Sequence, residues 1–444
     1  MTENRKDKKS RTVGLWISTS LVSGNMIGSG VFLLPSALAL YGGISILGWL
    51  FSTLGALLLA FVFSSLSRRK PMIGGPYIYT REQFGMLPGF LIAWGYWISI
   101  WIGNAAIAIA AAGYIGSFFP LLGSHPFLSA MTAVLCIWIF TWINTFSIRS
   151  VGNVQLISTL IKVVPLLVLG TVGFLHFNPE YFSPFNLSGG SDLSAVQATA
   201  ALTLWAFLGL ESATIPADKV THPEKTIPRA TILGTLFAAI LYISSTAAIL
   251  GILSPSELAV SEAPFAEALS KIWGSWAGQA TAIMAIIACL GALNGWILLQ
   301  GQIPLAAARD NLLPGFFKRL STKDMPVQGL VLSSILATIL ILMNYAQGLV
   351  GMFTFVIMLA TLSSLFPYIL SSLAQLVYVW RDRKKTSLKK MIKPFLIGAG
   401  ATVFSIWAIG GLGLEILVWG LVLLVLGLPF YFYGRRRWKG ENGI

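Results

Sequence analysis

Charge is what this sequence has least of. Asp, Glu, Lys and Arg make up 10 % of its 444 residues, against about 25 % in ordinary soluble domains. So few charges cannot cover a water-facing surface, which excludes a conventional soluble fold. Cysteine is scarce too: Cys136 and Cys289 fall in separate apolar runs. That excludes a disulfide framework and leaves two small buried hydrophobes. Histidine occurs only as His125, His176 and His222. None lies mid-run beside a candidate partner, so neither a nucleophile–base pair nor a metal set is visible, and no enzyme, metal or cofactor is expected. Rings of acidic residues and a carbonyl-filter motif are absent as well, which argues against a channel.

What fills the chain instead is apolar. Hydrophobic residues make up 56 % of it, and many uncharged stretches are long enough to cross a hydrocarbon layer of about 30 Å. The fold class expected is all-α and polytopic, with about twelve transmembrane spans in one transporter domain covering 1–444. Their approximate limits are 13–40, 44–66, 87–117, 126–146, 151–176, 194–217, 228–253, 276–304, 327–345, 349–379, 392–411 and 415–434. Between Ala306 and Met325, the stretch Arg309–Pro314 reads as a short interfacial helix ending at the proline. The charged start, Met1–Arg11, runs into a full-length span with no small-residue cleavage site, so the first span is expected to be retained.

The formal net charge is +14, and its placement is informative. On this span assignment every Lys and Arg except Lys162 and Lys271 falls on one side. The opposite loops hold Lys271 with Glu180, Asp192, Glu257, Glu262, Glu267 and Glu415. That is the positive-inside asymmetry, and it places both termini in the cytoplasm of a cell (inner) membrane protein. Anionic lipid headgroups are the natural partners of the basic loops. Nucleic acid is not expected, because no basic–aromatic binding module is present.

Within the first span stands Ser23-Gly24-Asn25-Met26-Ile27-Gly28-Ser29-Gly30-Val31. Each glycine costs about 1 kcal/mol of helix propensity relative to alanine. Backbone released from a helix must also find partners away from lipid. A break at Gly28-Ser29-Gly30 would free N–H groups on one side and carbonyls on the other, a site suited to a small zwitterion. The sixth span is interrupted likewise, at Phe207-Leu208-Gly209-Leu210-Glu211-Ser212. An odd number of spans separates the two starts, so the broken segments enter from opposite sides. Paired discontinuous helices of opposite orientation point to an inverted-repeat transporter with its site at mid-membrane. The repeats would be five plus five spans, approximately 13–176 and 194–379, with two extra helices over 392–434.

Two ionisable residues sit well inside spans, Lys162 in the fifth and Glu211 beside the second break. Such residues cost about 2.5–3.5 kcal/mol at a helix centre and mark functional sites. Glu211 is a candidate proton carrier, or a carboxyl that bonds loose backbone. Lys162 is a candidate for the place where other transporters hold sodium, or a tether between helices. Trp205 lies one turn before the sixth-span break, and Trp296 shares Asn294-Gly295-Trp296 with small residues. An indole over a desolvated cation gains about 2 kcal/mol. Tyr96, Ser99 and Asn104 fall near one face of the third span and can offer polar groups to a substrate or to a neighbouring helix.

These residues carry a family pattern. The pieces are Gly24–Pro35, Gly74-Gly75-Pro76-Tyr77-Ile78-Tyr79, Trp101-Ile102-Gly103-Asn104, Leu204–Ser212 and His222-Pro223-Glu224-Lys225-Thr226-Ile227-Pro228. Over essentially its whole length the chain resembles the amino acid–polyamine–organocation superfamily. Within it, the resemblance is to the bacterial basic amino acid/polyamine antiporters of the arginine/agmatine exchanger kind. It implies the inverted-repeat fold of sodium-coupled amino acid transporters, often as a homodimer. It also implies that a substrate carboxylate meets the N–H groups of Ile27, Gly28, Ser29 and Gly30. The α-amino group would meet carbonyls near Met26 and Asn25 and from Trp205 to Leu208. Trp205 would close over the substrate, Trp296 would pack along its side chain, and Asn104 with Ser99 and Ile100 would reach a distal amine. Tyr96 and Glu211 match positions tied to gating and proton sensing.

The chain departs from the exchangers at Ala360 and Ile107, where they carry serine and methionine, and at Leu208 in place of isoleucine. Lys162 instead matches a lysine of proton-coupled and light-subunit-type carriers of neutral amino acids. The expectation is a sodium-independent amino acid transporter that exchanges a basic amino acid for its amine product by alternating access. The alternative is a proton-coupled or exchange carrier of neutral amino acids.

Overall fold

In hydrocarbon every backbone N–H and C=O must be satisfied within the protein, so uncharged runs of this length are driven to helix. A computed structural model of the chain describes residues 14–69, 76–146, 149–211, 220–310, 312–384 and 387–432. Several expectations lie outside these residues: the second half of the sixth span at 212–217, the basic segments at 1–11 and 435–439, and Gly74-Gly75.

The first span is two helices, α1 (Leu15–Met26) and α2 (Ser29–Leu38). A full-length second span follows as α3 (Ser45–Arg69), then a short α4 (Pro76–Phe84). The third span is α5 (Met86–Gly116), and a short α6 (Pro120–Ser124) leads to the fourth, α7 (Pro126–Ile143). The fifth is α8 (Arg149–Thr171) and the first half of the sixth is α9 (Asp192–Leu204). The seventh span, α10 (Pro223–Ile252), is followed by two short helices, α11 (Pro255–Val260) and α12 (Pro264–Trp273). The eighth to twelfth are α13 (Ser275–Arg309), α14 (Val327–Asn344), α15 (Gly348–Arg381), α16 (Leu388–Ile409) and α17 (Leu414–Val425). Among the described residues, nine stretches are long and apolar enough to cross a membrane, α14 and α15 counting as one stretch. The all-α, multi-pass fold class expected from composition is therefore the one observed.

Two local expectations need correction. The first break falls at Ile27–Gly28, while Ser29 and Gly30 already belong to α2. The eighth span does not stop near Pro304. Ala306-Ala307-Ala308 are strong helix formers, and α13 runs through the proline to Arg309. Among the described residues of 309–314, no separate interfacial helix is formed. The chain turns after Arg309, with Leu312 N–H bonded to Ala307 O at 2.9 Å, and a 3-10 turn spans Gly315–Lys318.

The core is organised around α5. Every residue from Ile92 to Tyr114 is buried, and α5 packs against α13, α15 and α7. Such burial of a whole helix circumference is what its alanines and glycines permit, because small residues let backbones approach. The last two helices are peripheral. Leu396, Val403, Ile406 and Leu421 are exposed along them, as expected of a face turned to lipid.

Candidate functional site

Two helix interruptions meet beside α5. At the first, α1 ends at Met26, Ile27 N–H bonds Ser23 O at 2.7 Å, and Gly28 adopts φ −137°, ψ −143°. A Cβ on Gly28 would lie 3.1 Å from that of Ala292 in α13, so the close approach favours glycine. No side chain caps α2. Its first-turn N–H groups therefore lack intrahelical acceptors and carry the positive end of the helix dipole, an anion-binding arrangement. At the second interruption, α9 gives way to a 3-10 turn over Trp205–Phe207. Extended Leu208 and left-handed Gly209 follow, the latter at φ +96°, which only glycine adopts freely.

Between the interruptions lies a cavity of about 30 Å³. That is room for water but not for an amino acid, so a substrate requires its wall to move. Asn25, Met26, Gly28, Ser29 and Gly30 line it from the first break, and Trp205, Leu208 and Glu211 from the second. From α5 come Tyr96, Ser99, Gly103 and Ile107; Trp296 of α13 and Ser364 of α15 complete it. The Ser29 hydroxyl and the Trp205 indole N–H are buried with no hydrogen-bond partner.

Trp205 sits in a slot made by two glycines. A Cβ on Gly30 would lie 3.1 Å from its Cδ1 and Nε1, and a Cβ on Gly103 would lie 2.9 Å from its Cη2. The indole is thus held at both ends by the absence of side chains. Trp296 is fastened differently, its Nε1 donating to Asn25 O at 3.4 Å.

Glu211 is buried in the wall, and two phenols donate to it. Tyr96 Oη reaches Oε1 at 2.7 Å and Tyr368 Oη of α15 reaches Oε2 at 3.0 Å. Hydrogen bonds to an ionised group are stronger than neutral ones, so the pair fixes where this carboxylate points. Lys162, fully buried on α8, donates from Nζ to Gly24 O at 2.7 Å. An ammonium on one of the last carbonyls of α1 satisfies an orphan acceptor at the negative end of that helix.

Other residues expected at the site lie behind its wall. Ile27, Ile100, Asn104 and Ala360 are buried but do not line this cavity. Asn104 instead donates to Gln300 Oε1 at 2.7 Å. The tenth span does supply a serine, Ser364, one turn beyond Ala360. Tyr368 follows one turn later, and Gln300 stands one turn beyond Trp296. Those i, i+4 steps from residues already singled out were the available signal for all three.

On each face of the bundle, polar contacts tie helices together near the site. On the face opposite the basic loops, Tyr114 Oη donates to Phe32 O at 2.7 Å and accepts from Phe265 N–H at 3.4 Å, joining α5, α2 and α12. Ser36 Oγ donates to Ser261 O at 2.7 Å beside it. An open cleft of about 710 Å³ lies over this closure, with Glu262 and Glu415 in its wall. Burial, and then the charge of Glu267, push the Glu262 carboxyl up to about 7. Glu257 is held below the usual carboxylate range by the Ser254 N–H and hydroxyl and by Lys271. On the basic face, Arg81 pairs with Asp310 at 3.0 Å and Arg69 with Asp382 at 2.6 Å. These exposed pairs contribute little to stability, about 0–1 kcal/mol each.

Comparison with known proteins agrees with this architecture. A family model described as amino acid permease matches residues 13–433. The chain is 36 % identical over 370 residues to a cadaverine/lysine antiporter of Escherichia coli (strain K12), covering 81 % of this chain and 82 % of that protein. It is 34 % identical over 437 residues to the putrescine transporter PotE of the same strain, covering 98 % of each. Identity to the putrescine transporter PotE of Haemophilus influenzae is 32 % over 424 residues, covering 95 % of this chain and 97 % of that protein.

Proposed function

The chain belongs to the amino acid permease family, and we propose that it exchanges a basic amino acid for a diamine by alternating access, without sodium. One observation carries this reading. The cavity wall holds uncapped N–H groups of α2 at one end and the carboxylate of Glu211, with the rings of Trp205 and Trp296, elsewhere. A site that offers both an anion-binding helix end and a buried carboxylate suits a ligand carrying both charges, and the carboxylate suits one carrying only ammonium groups. The named activities of the cadaverine/lysine and putrescine relatives support the same substrate class.

In this reading Ile27, Gly28, Ser29 and Gly30 take the substrate carboxylate, and carbonyls near Asn25, Met26 and Trp205–Leu208 take the α-amino group. Trp205 closes over the ligand, Trp296 packs along it, and Ser99, Ile100, Asn104 and Ala360 surround its far end. Tyr96 and Glu211 couple occupancy to gating, Glu211 carrying a proton. Lys162 stands in for sodium, and its bond to Gly24 O supports that role. The basic face is cytoplasmic, both termini included, in an inner membrane. The repeats are 13–176 and 194–379 with 392–434 added, and the working unit is a homodimer.

A second reading, a carrier of neutral amino acids, is favoured by the fixed cation at Lys162 and by the apolar Ile107 and Leu208 in the wall. Counterflow in proteoliposomes separates the two. Cadaverine, putrescine and lysine should each drive exchange equally in sodium and in choline, and Glu211→Gln should cut diamine exchange at least about tenfold, the loss of one charge-assisted contact. Counterflow by neutral amino acids alone would refute the first reading and leave the second. Strict sodium dependence would remove the role given to Lys162.

A further inference from the structure

Behind the cavity wall lies a buried amide pair whose polarity is set by the main chain. Asn104 on α5 and Gln300 on α13 are both fully buried. Asn104 lies between the lining residues Gly103 and Ile107, and Gln300 follows Trp296 by one turn. The Leu330 carbonyl of α14 can only accept a hydrogen bond. The Gln300 group 3.1 Å from it is therefore the NH2. That NH2 also reaches Ser334 Oγ at 2.8 Å, and Ser334 meets Thr141 Oγ1 of α7 at 2.6 Å. With both its protons used, Gln300 presents Oε1 to Asn104, and Asn104 must answer with its own NH2. The Asn104 carbonyl oxygen is left buried with no partner, a desolvated acceptor that no protein group offsets.

We propose that Gln300 is a positioning residue for substrate selection: it locks the Asn104 amide so that the Asn104 oxygen accepts from an N–H donor at the far end of the substrate. An asparagine free to turn offers either a donor or an acceptor. The relay to the Leu330 carbonyl removes that choice. A fixed acceptor attracts a terminal ammonium, opposes a terminal carboxylate or carbonyl, and gains nothing from an alkyl tip. This rests on the basic-substrate reading above, and it adds the atom that reads the tip and the residue that aims it.

The test compares lysine with norleucine, which has the same carbon chain and no terminal amine, as competitors of cadaverine uptake into proteoliposomes. In Gln300→Met, which keeps length and removes both polar atoms, the preference for lysine over norleucine should fall about tenfold, as expected for losing an oriented hydrogen bond to a charged group. Norleucine affinity should be unchanged. The double variant Asn104→Ala/Gln300→Met should be no worse than Asn104→Ala alone, because Gln300 acts through Asn104. Equal losses for both competitors, or additive losses in the double variant, overturn the proposal. Where Gln300→Met does not accumulate in the membrane, Asn104→Ala decides: it must lose the same preference, and a retained preference overturns the proposal. A wild-type protein indifferent to every amine-tipped ligand refutes the basic-substrate reading as well. One that takes cadaverine while Gln300→Met keeps the lysine preference refutes only this inference.

Discussion

Gly103→Ala isolates what the Trp205 slot does. The added methyl would stand 2.9 Å from Trp205 Cη2 and 3.3 Å from Cζ3. Carbon–carbon contact is optimal near 3.5–4.0 Å, so the six-membered end of the indole must move by about 0.6–1 Å. It cannot slide freely along its own length, because Gly30 lies against its other end. The remaining direction is into the cavity, which at about 30 Å³ has no slack. Overpacking of this kind costs about 1–3 kcal/mol, and replacing a mid-helix glycine by alanine returns about 1 kcal/mol.

Net stability should therefore fall by only about 0–2 kcal/mol, while the displaced ring weakens ligand binding about tenfold or more, equivalent to at least 1.4 kcal/mol. The measurement is the melting temperature of purified protein beside the apparent affinity in exchange. Gly95→Ala, two turns earlier on the same helix, is the control. Its methyl would meet only Ser363 O at 3.4 Å and Leu424 Cδ2 at 3.7 Å, so it should raise stability and leave exchange alone. Wild-type affinity in Gly103→Ala, or equal impairment in Gly95→Ala, would refute the slot.

Tyr114→Phe removes the hydroxyl shared by Phe32 O and Phe265 N–H, leaving buried backbone groups at a cost of about 1–3 kcal/mol. The closure opposite the basic face should then open more often, read as faster labelling of a cysteine placed at Ser29 by an impermeant thiol reagent; an unchanged rate would count against it. Glu262 gives a pH prediction. Its folded-state carboxyl titrates at about 7 against 4.5 for the free group, so the folded form holds the proton more tightly. Stability from this group is present below pH 4.5 and is lost as pH rises through 7. Glu262→Gln should flatten the fall in melting temperature between pH 5 and pH 8 (approximate limits chosen to bracket that window), and an unaltered slope would assign the titration elsewhere. Lys162→Met should destabilise the protein by stripping Gly24 O of its buried donor, and a melting temperature equal to wild type would exclude the capping role.

How legible these features were depends on what made each residue unusual. Gly28, Gly209 and Glu211 stand out because lipid penalises them: a glycine weakens a helix and a carboxylate resists dehydration. They mark the breaks and the charged wall, and the structure brings Gly28 and Glu211 to one cavity, beside Trp205 and Leu208. Ser364, Tyr368 and Gln300 do not stand out. Serine, tyrosine and glutamine are tolerated wherever a neighbouring helix supplies a partner, and the partner lies far away in sequence. Tyr368 meets Glu211 across 157 residues and Gln300 meets Asn104 across 196. The eighth span, bounded near 304 from hydropathy and flanking charge, runs on as helix to Arg309 because alanines follow Pro304.

The same contrast separates the two halves of recognition. In the proposed reading, the part that reads an amino acid's main chain is itself main chain, at Ile27–Gly28 and Leu208–Gly209, and its cost in helix propensity writes it into the sequence. The part proposed to read the side chain is made of pairings between helices, Tyr96 and Tyr368 on Glu211 and Gln300 on Asn104. Such pairings fix the direction of an acceptor, and direction has no compositional trace. Exchanging one buried partner can therefore redirect an acceptor without touching the glycines at the breaks. A substitution at Gln300 or Tyr368 is accordingly a more sensitive test of substrate identity than one at Gly28, whose loss would remove every substrate alike.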